Sequence, residues 1–184
     1  MPGNVEGPPE VDPRATLSQL ATPRSAGSRQ NDHVHDYRLS DDPTDLDLDR
    51  IVRWIGEDTY WARNRPRDVI ERSLANSIPV GLYTHEGQQV AVARVVSDRA
   101  TFAWLCDVYV DRDHRGLGLG TTLANWTAAW AERHGIRRVV LATLDAHEVY
   151  AKAGFAPIGH PEHWMEIDTQ PQLPDQGHLR VSPD

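Results

Sequence analysis

The stretch DVYVDRDHRGLGLGTTLANW, Asp107 to Trp126, sets Gly116, Gly118 and Gly120 at alternate positions between a strand-like run and a helix-like run. Such a junction is suited to an anion. The first backbone N–H groups of a helix lack intrahelical acceptors, and glycines let that backbone approach phosphate oxygens without a side chain in the way. A nucleotide-hydrolysing P-loop is excluded by spacing, because it needs a longer gap between glycines and then Gly-Lys-Ser/Thr, whereas Gly120 is followed by Thr121 and Thr122. A dinucleotide fingerprint, G-x-G-x-x-G opening a βαβ unit, does not fit a G-x-G-x-G that comes after several earlier strands. Just before the loop, Asp107 interrupts an otherwise apolar run. An unpaired buried carboxylate is costly, so this residue needs either a task as proton acceptor or a structural partner, and the sequence leaves both open.

The elements that must position these groups can be read from the pattern. At 184 residues with 39% apolar content the chain is long enough for one domain with a real core. Residues 1–34 are rich in Pro, Gly and Ser and read as a disordered tail, residues 35–168 as the domain, and residues 169–184 as a flexible C-terminal tail. Within the domain YRLS reads as a short strand. TDLDLDRIVRWI reads as a helix with Thr44 and Asp47 at capping-box-like spacing and Leu48, Ile51, Val52 and Ile55 on one face. A second helix starts near Pro66 and carries Val69, Ile70 and Leu74 on one side. VGLYTH and QVAVARVVSD form an antiparallel pair turning at Gly87, and ATFAWLCDVYV is an interior strand. Leu119 to His134 is a helix ended by Gly135, and IRRVVLATL reads as a further interior strand. His147 to Ala153 makes a short helix closed by Gly154, and FAPIGH and HWMEI read as late strands.

The net charge of -8 disfavours nucleic acid and tolerates amines. No apolar run is long enough to span a membrane, and no secretory signal is visible at the N-terminus, so a cytoplasmic protein is expected. The single cysteine, Cys106, reads as a buried thiol and excludes a cysteine metal site.

VYVDRDHRGLGLGTTL resembles the acetyl-CoA-binding motif of the GCN5-related N-acetyltransferase (GNAT) superfamily, with Arg115, Gly118 and Gly120 in the motif positions. TLDAHEVYAKAGF is similar to the family's later segment, in which a Tyr on a short helix precedes Gly-Phe; Tyr150, Gly154 and Phe155 match. The resemblance extends from Tyr37 to Ile167, and TYWARNRP, DAH and HPEHWMEI resemble a bacterial subgroup without an assigned substrate. It implies an α/β (α+β) GNAT fold, a mixed central sheet of about six to seven strands flanked by helices, with a splay between two parallel strands.

It also implies a set of roles. Val108, Tyr109 and Val110 would pair with the pantetheine arm of acetyl-CoA. The backbone of Gly116, Leu117, Gly118, Leu119, Gly120 and Thr121 would hold its pyrophosphate, and Arg115 would contact phosphate or brace the loop. Arg112 and His114 lie near in sequence, suited either to the 3′-phosphate or to solvent. Where the family often carries an Asn against the cofactor this chain has Asp145, which accepts but cannot donate a hydrogen bond. No metal is required. The chemistry implied is direct attack of a primary amine on the thioester, with Tyr150 as proton donor to the leaving thiolate and Asp107 as the first candidate for base, ahead of His85, Glu57 and Glu148. Glu57, Tyr60 and Trp61 would face the acceptor, a small metabolite or amino acid in preference to a protein amine. Arg63 and Arg65 in the same segment would favour an acceptor bearing a carboxylate or phosphate. GNAT proteins are often dimers, so a homodimer belongs to the same expectation. The alternative reading is a non-catalytic acetyl-CoA sensor or a partner-binding module, which would have no need of the phenol.

Overall fold

The computed structural model describes residues 36–167 and Thr169. The expected N-terminal tail and nearly all of the expected C-terminal tail lie outside those residues.

A five-stranded sheet in the order β1-β2-β3-β4-β5 organises the domain. β1 (Arg38–Ser40), β2 (Ile78–Tyr83), β3 (Gln89–Ser97) and β4 (Phe102–Val110) pair antiparallel in sequence order, and β5 (Arg138–Val140) runs parallel to β4. The parallel pair requires a crossover, supplied by the glycine loop and the 15-residue helix α3 (Leu119–Arg133). Helices α1 (Leu48–Arg53) and α2 (Arg67–Ala75) cover one face of the sheet, with Ile51, Trp54, Ile55, Ile70 and Leu74 packed on Val92 and Tyr109. α3 covers the other face through Leu119, Leu123, Trp130 and Ala131, against Val80, Leu82, Ala93, Ala103 and Leu105. β2, lying between two strands and under both layers, is buried at every position.

Local details depart from the sequence reading in four places. α1 is capped by Asp47 alone, whose Oδ1 accepts from the Arg50 N–H at 3.0 Å, while Thr44 belongs to a separate short turn held by Asp42. After Arg53 the helix widens into a π-helical turn, Trp54–Asp58. β5 is an edge strand with three paired residues, not an interior strand. Finally, FAPIGH and HWMEI form no strand: Pro157 and Pro161 remove backbone donors, and His160 takes a left-handed φ of 61° that bends the chain. Trp164 of that segment is held instead under the Arg138 guanidinium, 5.6 Å from its ring.

A bulge in β4 sets the direction of the side chains near the glycine loop. Val92 faces Tyr109 and Arg94 faces Cys106, so Ala93 opposes two residues, Asp107 and Val108. Asp107 takes up the extra residue with φ at +50°, a conformation that Asp tolerates better than most side chains.

Candidate active site

β4 and β5 pair only from Phe102 to Trp104 and from Arg138 to Val140, after which the chains part. The gap opens into a cleft of about 790 Å³. Leu105, Cys106, Asp107 and Val108 line one side of it and Ala142 to Ala146 the other; Tyr60, Trp61 and Arg65 enter from the segment between α1 and α2, and Tyr150 from α4 (His147–Ala151). The Leu144 N–H donates to the Tyr60 hydroxyl at 3.3 Å, tying the segment between α1 and α2 to the β5 side.

Beyond the cleft lies the glycine loop. Gly116 and Gly118 have φ of 77° and 79°, and Gly118 caps α3 without a side chain. Among the described residues, none of the backbone N–H groups from Gly116 to Thr121 has a hydrogen-bond acceptor; the first to find one is Thr122, on the Gly118 carbonyl at 3.0 Å. Six adjacent donors at the positive end of a long helix are chemically suited to an anion. At Gly120 the demand is close packing, because an added Cβ would lie 3.3 Å from Val149 Cγ1 on α4. Arg115 braces the loop: its Nε donates to the Val110 carbonyl at 3.1 Å and its guanidinium lies 5.4 Å from the Tyr109 ring centre.

Tyr150 is partly buried, edge-on to Phe155, and has no hydrogen-bond partner among the described residues. Burial, reinforced by Tyr60 and Asp145, pushes its phenol up to about 12. The Cys106 thiol of the same cleft is pushed up to about 11, chiefly by burial.

Asp107 is the most heavily engaged carboxylate of the cleft. Its Oδ2 accepts from Arg94 Nε at 2.6 Å and from Arg65 Nη1 at 2.8 Å, and its Oδ1 from Trp61 Nε1 at 3.2 Å. Burial alone would raise its pKa, but Arg94 and then Arg65 outweigh burial and hold it below the usual carboxylate range. A carboxylate with three donors and a lowered pKa is a poor proton acceptor and a good anchor.

The remaining expected site residues divide between the cleft and its surroundings. Tyr109 is buried, stacked on Trp54, and donates its hydroxyl to Asp58 at 2.7 Å, so its side chain is structural, and it does not line the cleft. Val108 and Val110 pack on the α3 core, and Val108 also lines the cleft. Asp145 is exposed and lines the cleft, as do Tyr60 and Trp61, which meet edge to face at 4.9 Å. Glu57 does not belong with them: it is exposed on the π-helical turn and does not line the cleft. His85 lies in the exposed β2–β3 turn, and Glu148, though on α4, is exposed and outside the lining. Arg112 is paired with Asp58 at 2.8 Å and His114 Nδ1 meets the Tyr37 hydroxyl at 2.8 Å, so both already have partners. Arg94 is the cleft residue that sequence reasoning misses. Its signal is a lone Arg in the apolar strand QVAVARVVSD, one strand away from a lone Asp. Among the described residues, the one group of His and carboxylate donors within metal-binding distance is the exposed set His160, Glu162 and His163, none of which lines the cleft. No described helix is long and apolar enough to cross a membrane.

A splayed parallel pair, a glycine-rich loop at a helix N-terminus and a phenol on the following short helix thus stand on consecutive elements of the chain. Residues 48–155 match the acetyltransferase (GNAT) family, and the chain belongs to that family. By class it is an acyltransferase. It is 31% identical over 139 residues to FG08082 of Gibberella zeae, a protein named as a presumed acetyltransferase, the match covering 64% of this chain and 77% of that one. It is also similar to the crystal structure of a presumed GNAT acetyltransferase from Xanthomonas campestris pv. campestris, with a TM-score of 0.67 and 41% identity over 72% of this chain and 92% of the other. A protein from Clostridium acetobutylicum crystallised with acetyl-CoA shares the fold, with a TM-score of 0.52 and 20% identity over 72% of this chain and 95% of that one.

Proposed function

We propose that the protein moves an acetyl group from acetyl-CoA to a primary amine of a small metabolite or amino acid by direct attack, with Tyr150 as the general acid. The observation that carries this reading is the unpartnered Tyr150 phenol in the same cleft as the splayed strands, beside a row of free N–H groups from Gly116 to Thr121. Acetyl-CoA supplies an activated acyl carbon and a thiolate leaving group. The glycine loop suits its pyrophosphate, and the divergence of β4 from β5 after Trp104 suits its pantetheine arm.

The amine nitrogen forms a bond to the carbonyl carbon, the carbon–sulfur bond breaks, and the sulfur takes the Tyr150 proton. The proton lost from nitrogen returns to the phenolate through solvent, with Asp145 as the exposed carboxylate on the route. Burial raises acid and acceptor together: the phenol lies at about 12, and a thiol in the same surroundings is raised as well, as Cys106 at about 11 illustrates, so the two stay closely matched. Asp107 is assigned to positioning: it fixes Arg65, Arg94 and Trp61 along one wall. The one thiol and an acidic chain suit the reducing cytoplasm, and a homodimer is compatible with the family.

Tyr150→Phe tests the assignment. CoA release should fall by roughly 10²- to 10⁴-fold while acetyl-CoA affinity measured by calorimetry stays within about twofold. With the phenol at about 12, the wild-type rate should show no alkaline limb from this group below about pH 11. A Phe variant of undiminished rate would dismiss Tyr150 as the acid. A wild-type chain that binds acetyl-CoA but turns over no amine would favour the sensor.

A further inference from the structure

We infer that the acceptor carries a carboxylate that docks on Arg94 and Arg65, so that the acetylated amine belongs to an amino-acid-like zwitterion with an apolar or aromatic body. This rests on the acetyl-transfer reading above and specifies the substrate class of the same cleft.

The charge count on the cleft wall comes first. Two guanidinium groups share one carboxylate oxygen, Asp107 Oδ2, leaving one positive charge in excess. Asp107 engages one nitrogen of each: Nε of Arg94 and Nη1 of Arg65. Among the described residues, both Nη atoms of Arg94 and the Nε and Nη2 of Arg65 have no protein acceptor, so a planar pair of donors remains available on each group. These side chains are not waving in solvent: 15% of Arg94 and 23% of Arg65 is exposed, and both line the cleft. One arginine would be enough to pair Asp107. The second leaves, on a largely covered wall of the cleft, guanidinium nitrogens that an anion can complete. The surplus of one charge matches a monoanion, and the fork geometry of a guanidinium matches a planar carboxylate, whereas a dianionic phosphate would exceed the positive charge available.

The opposite pole of the cleft is acidic. Asp145 lies on the β5 side, and its charge is felt by the Tyr150 phenol, so an ammonium arriving there stands beside the proposed acid. The rest of the lining is aromatic and aliphatic, with Phe102, Trp104 and Val96 on the sheet side. Trp104 and Val96 are both 42% exposed, large apolar side chains open to whatever fills the gap. A simple cationic amine would satisfy Asp145 and leave the arginine pair uncompensated; an amino acid satisfies both poles and covers the rings.

The test uses the full chain. Acetyl-CoA binding is measured first by calorimetry. CoA release is then followed with the apolar and aromatic L-amino acids, each beside its amide and its decarboxylated amine, for example L-phenylalanine, L-phenylalaninamide and 2-phenylethylamine. The acids should be preferred by roughly 10- to 100-fold in kcat/KM, the scale expected for a charge-assisted pair of hydrogen bonds. Arg94→Gln should erase most of that preference by raising KM for the acids far more than for the decarboxylated amines. If Arg94→Gln no longer binds acetyl-CoA, and so is misfolded, Arg65→Gln carries the same comparison. Acetyl-CoA binding together with equal or faster turnover of amides and amines, or with no acid releasing CoA, overturns the inference and leaves the acetyl-transfer reading standing. Absence of acetyl-CoA binding removes that reading itself.

Discussion

Asp107→Ala should destabilise the protein by about 3 kcal/mol, and the size of the loss distinguishes an anchor from a catalytic base. Removing one member of a fully buried ion pair costs roughly 3–5 kcal/mol, because the partner is left charged and dry. Here the side chains of Asp107, Arg94 and Arg65 are 10%, 15% and 23% exposed, so the abandoned guanidiniums regain some water. That reduces the loss of the pair to about 2 kcal/mol, and an Ala at a φ of +50° adds about 1 kcal/mol of backbone strain that Asp tolerates better. Asp107→Asn keeps the left-handed tolerance and an acceptor oxygen and loses only the charge, so it should cost about 1–2 kcal/mol. Urea unfolding followed by tryptophan fluorescence measures both. With a slope of about 2 kcal/mol/M, the Ala midpoint should fall by about 1.5 M and the Asn midpoint by less than about 1 M. The pH dependence has a definite sign. The folded-state pKa of Asp107 lies below 3.8, so its ionised form contributes stability above about pH 4, lost as pH falls through the folded value. The gap between wild type and Asn should therefore close on acidification below about pH 4. An Ala variant within about 0.5 kcal/mol of wild type, or Asn and Ala variants of equal stability, would refute the anchoring argument. A base would give another pattern: Asp107→Asn would be nearly as stable as wild type and roughly 10²- to 10⁴-fold slower.

Two further sites probe the surroundings. Gly120→Ala should be nearly neutral in urea, since about 1 kcal/mol of gained helix propensity offsets the tight 3.3 Å approach to Val149. Gly120→Val should cost roughly 1–3 kcal/mol by overpacking and slow CoA release by displacing α4 and its Tyr150. Tyr83→Phe should leave stability unchanged or raise it by up to about 1 kcal/mol, because the Tyr83 hydroxyl is buried without a hydrogen-bond partner among the described residues; a loss above about 1 kcal/mol would mean that the hydroxyl is satisfied after all.

The parts of the molecule that rest on local rules are legible in the sequence. Gly116 and Gly118 announce the helix-terminal loop because no other residue takes a left-handed φ so cheaply, and Gly120 because α4 packs close against it. α3 is visible from its apolar spacing, and the β2–β3 hairpin from Gly87. The illegible parts depend on contacts between distant residues. Nothing in QVAVARVVSD states that Arg94 meets Asp107, and nothing near Arg65 states that it meets the same oxygen; both pairings arise from strand register and from the path of the segment after α1. Glu57 and Tyr60 are close in sequence, yet the π-helical turn sends Glu57 to solvent and Tyr60 to the cleft. The β5 run is apolar enough to suggest an interior strand, but its continuation leaves the ladder after Val140 to line the opening, which demands the same composition as a buried strand.

The bulge at Asp107 shows why a single residue of register decides the site. Upstream of it, Ala103 and Leu105 point to the α3 face. Continued without interruption, that alternation would send residues 107 and 109 to the same face, burying a carboxylate beneath α3 and taking Tyr109 away from Trp54. With one residue absorbed at Asp107, Val108 and Val110 take the α3 face, Tyr109 turns to stack on Trp54 at 5.1 Å, and the Asp107 carboxylate is free to meet Arg94 and Arg65. The left-handed backbone costs about 1 kcal/mol, less than the ion pairs and the aromatic stack it makes possible. The same residue that repairs the packing downstream also fixes the arginines of the cleft, so core and cleft wall share one structural origin in β4.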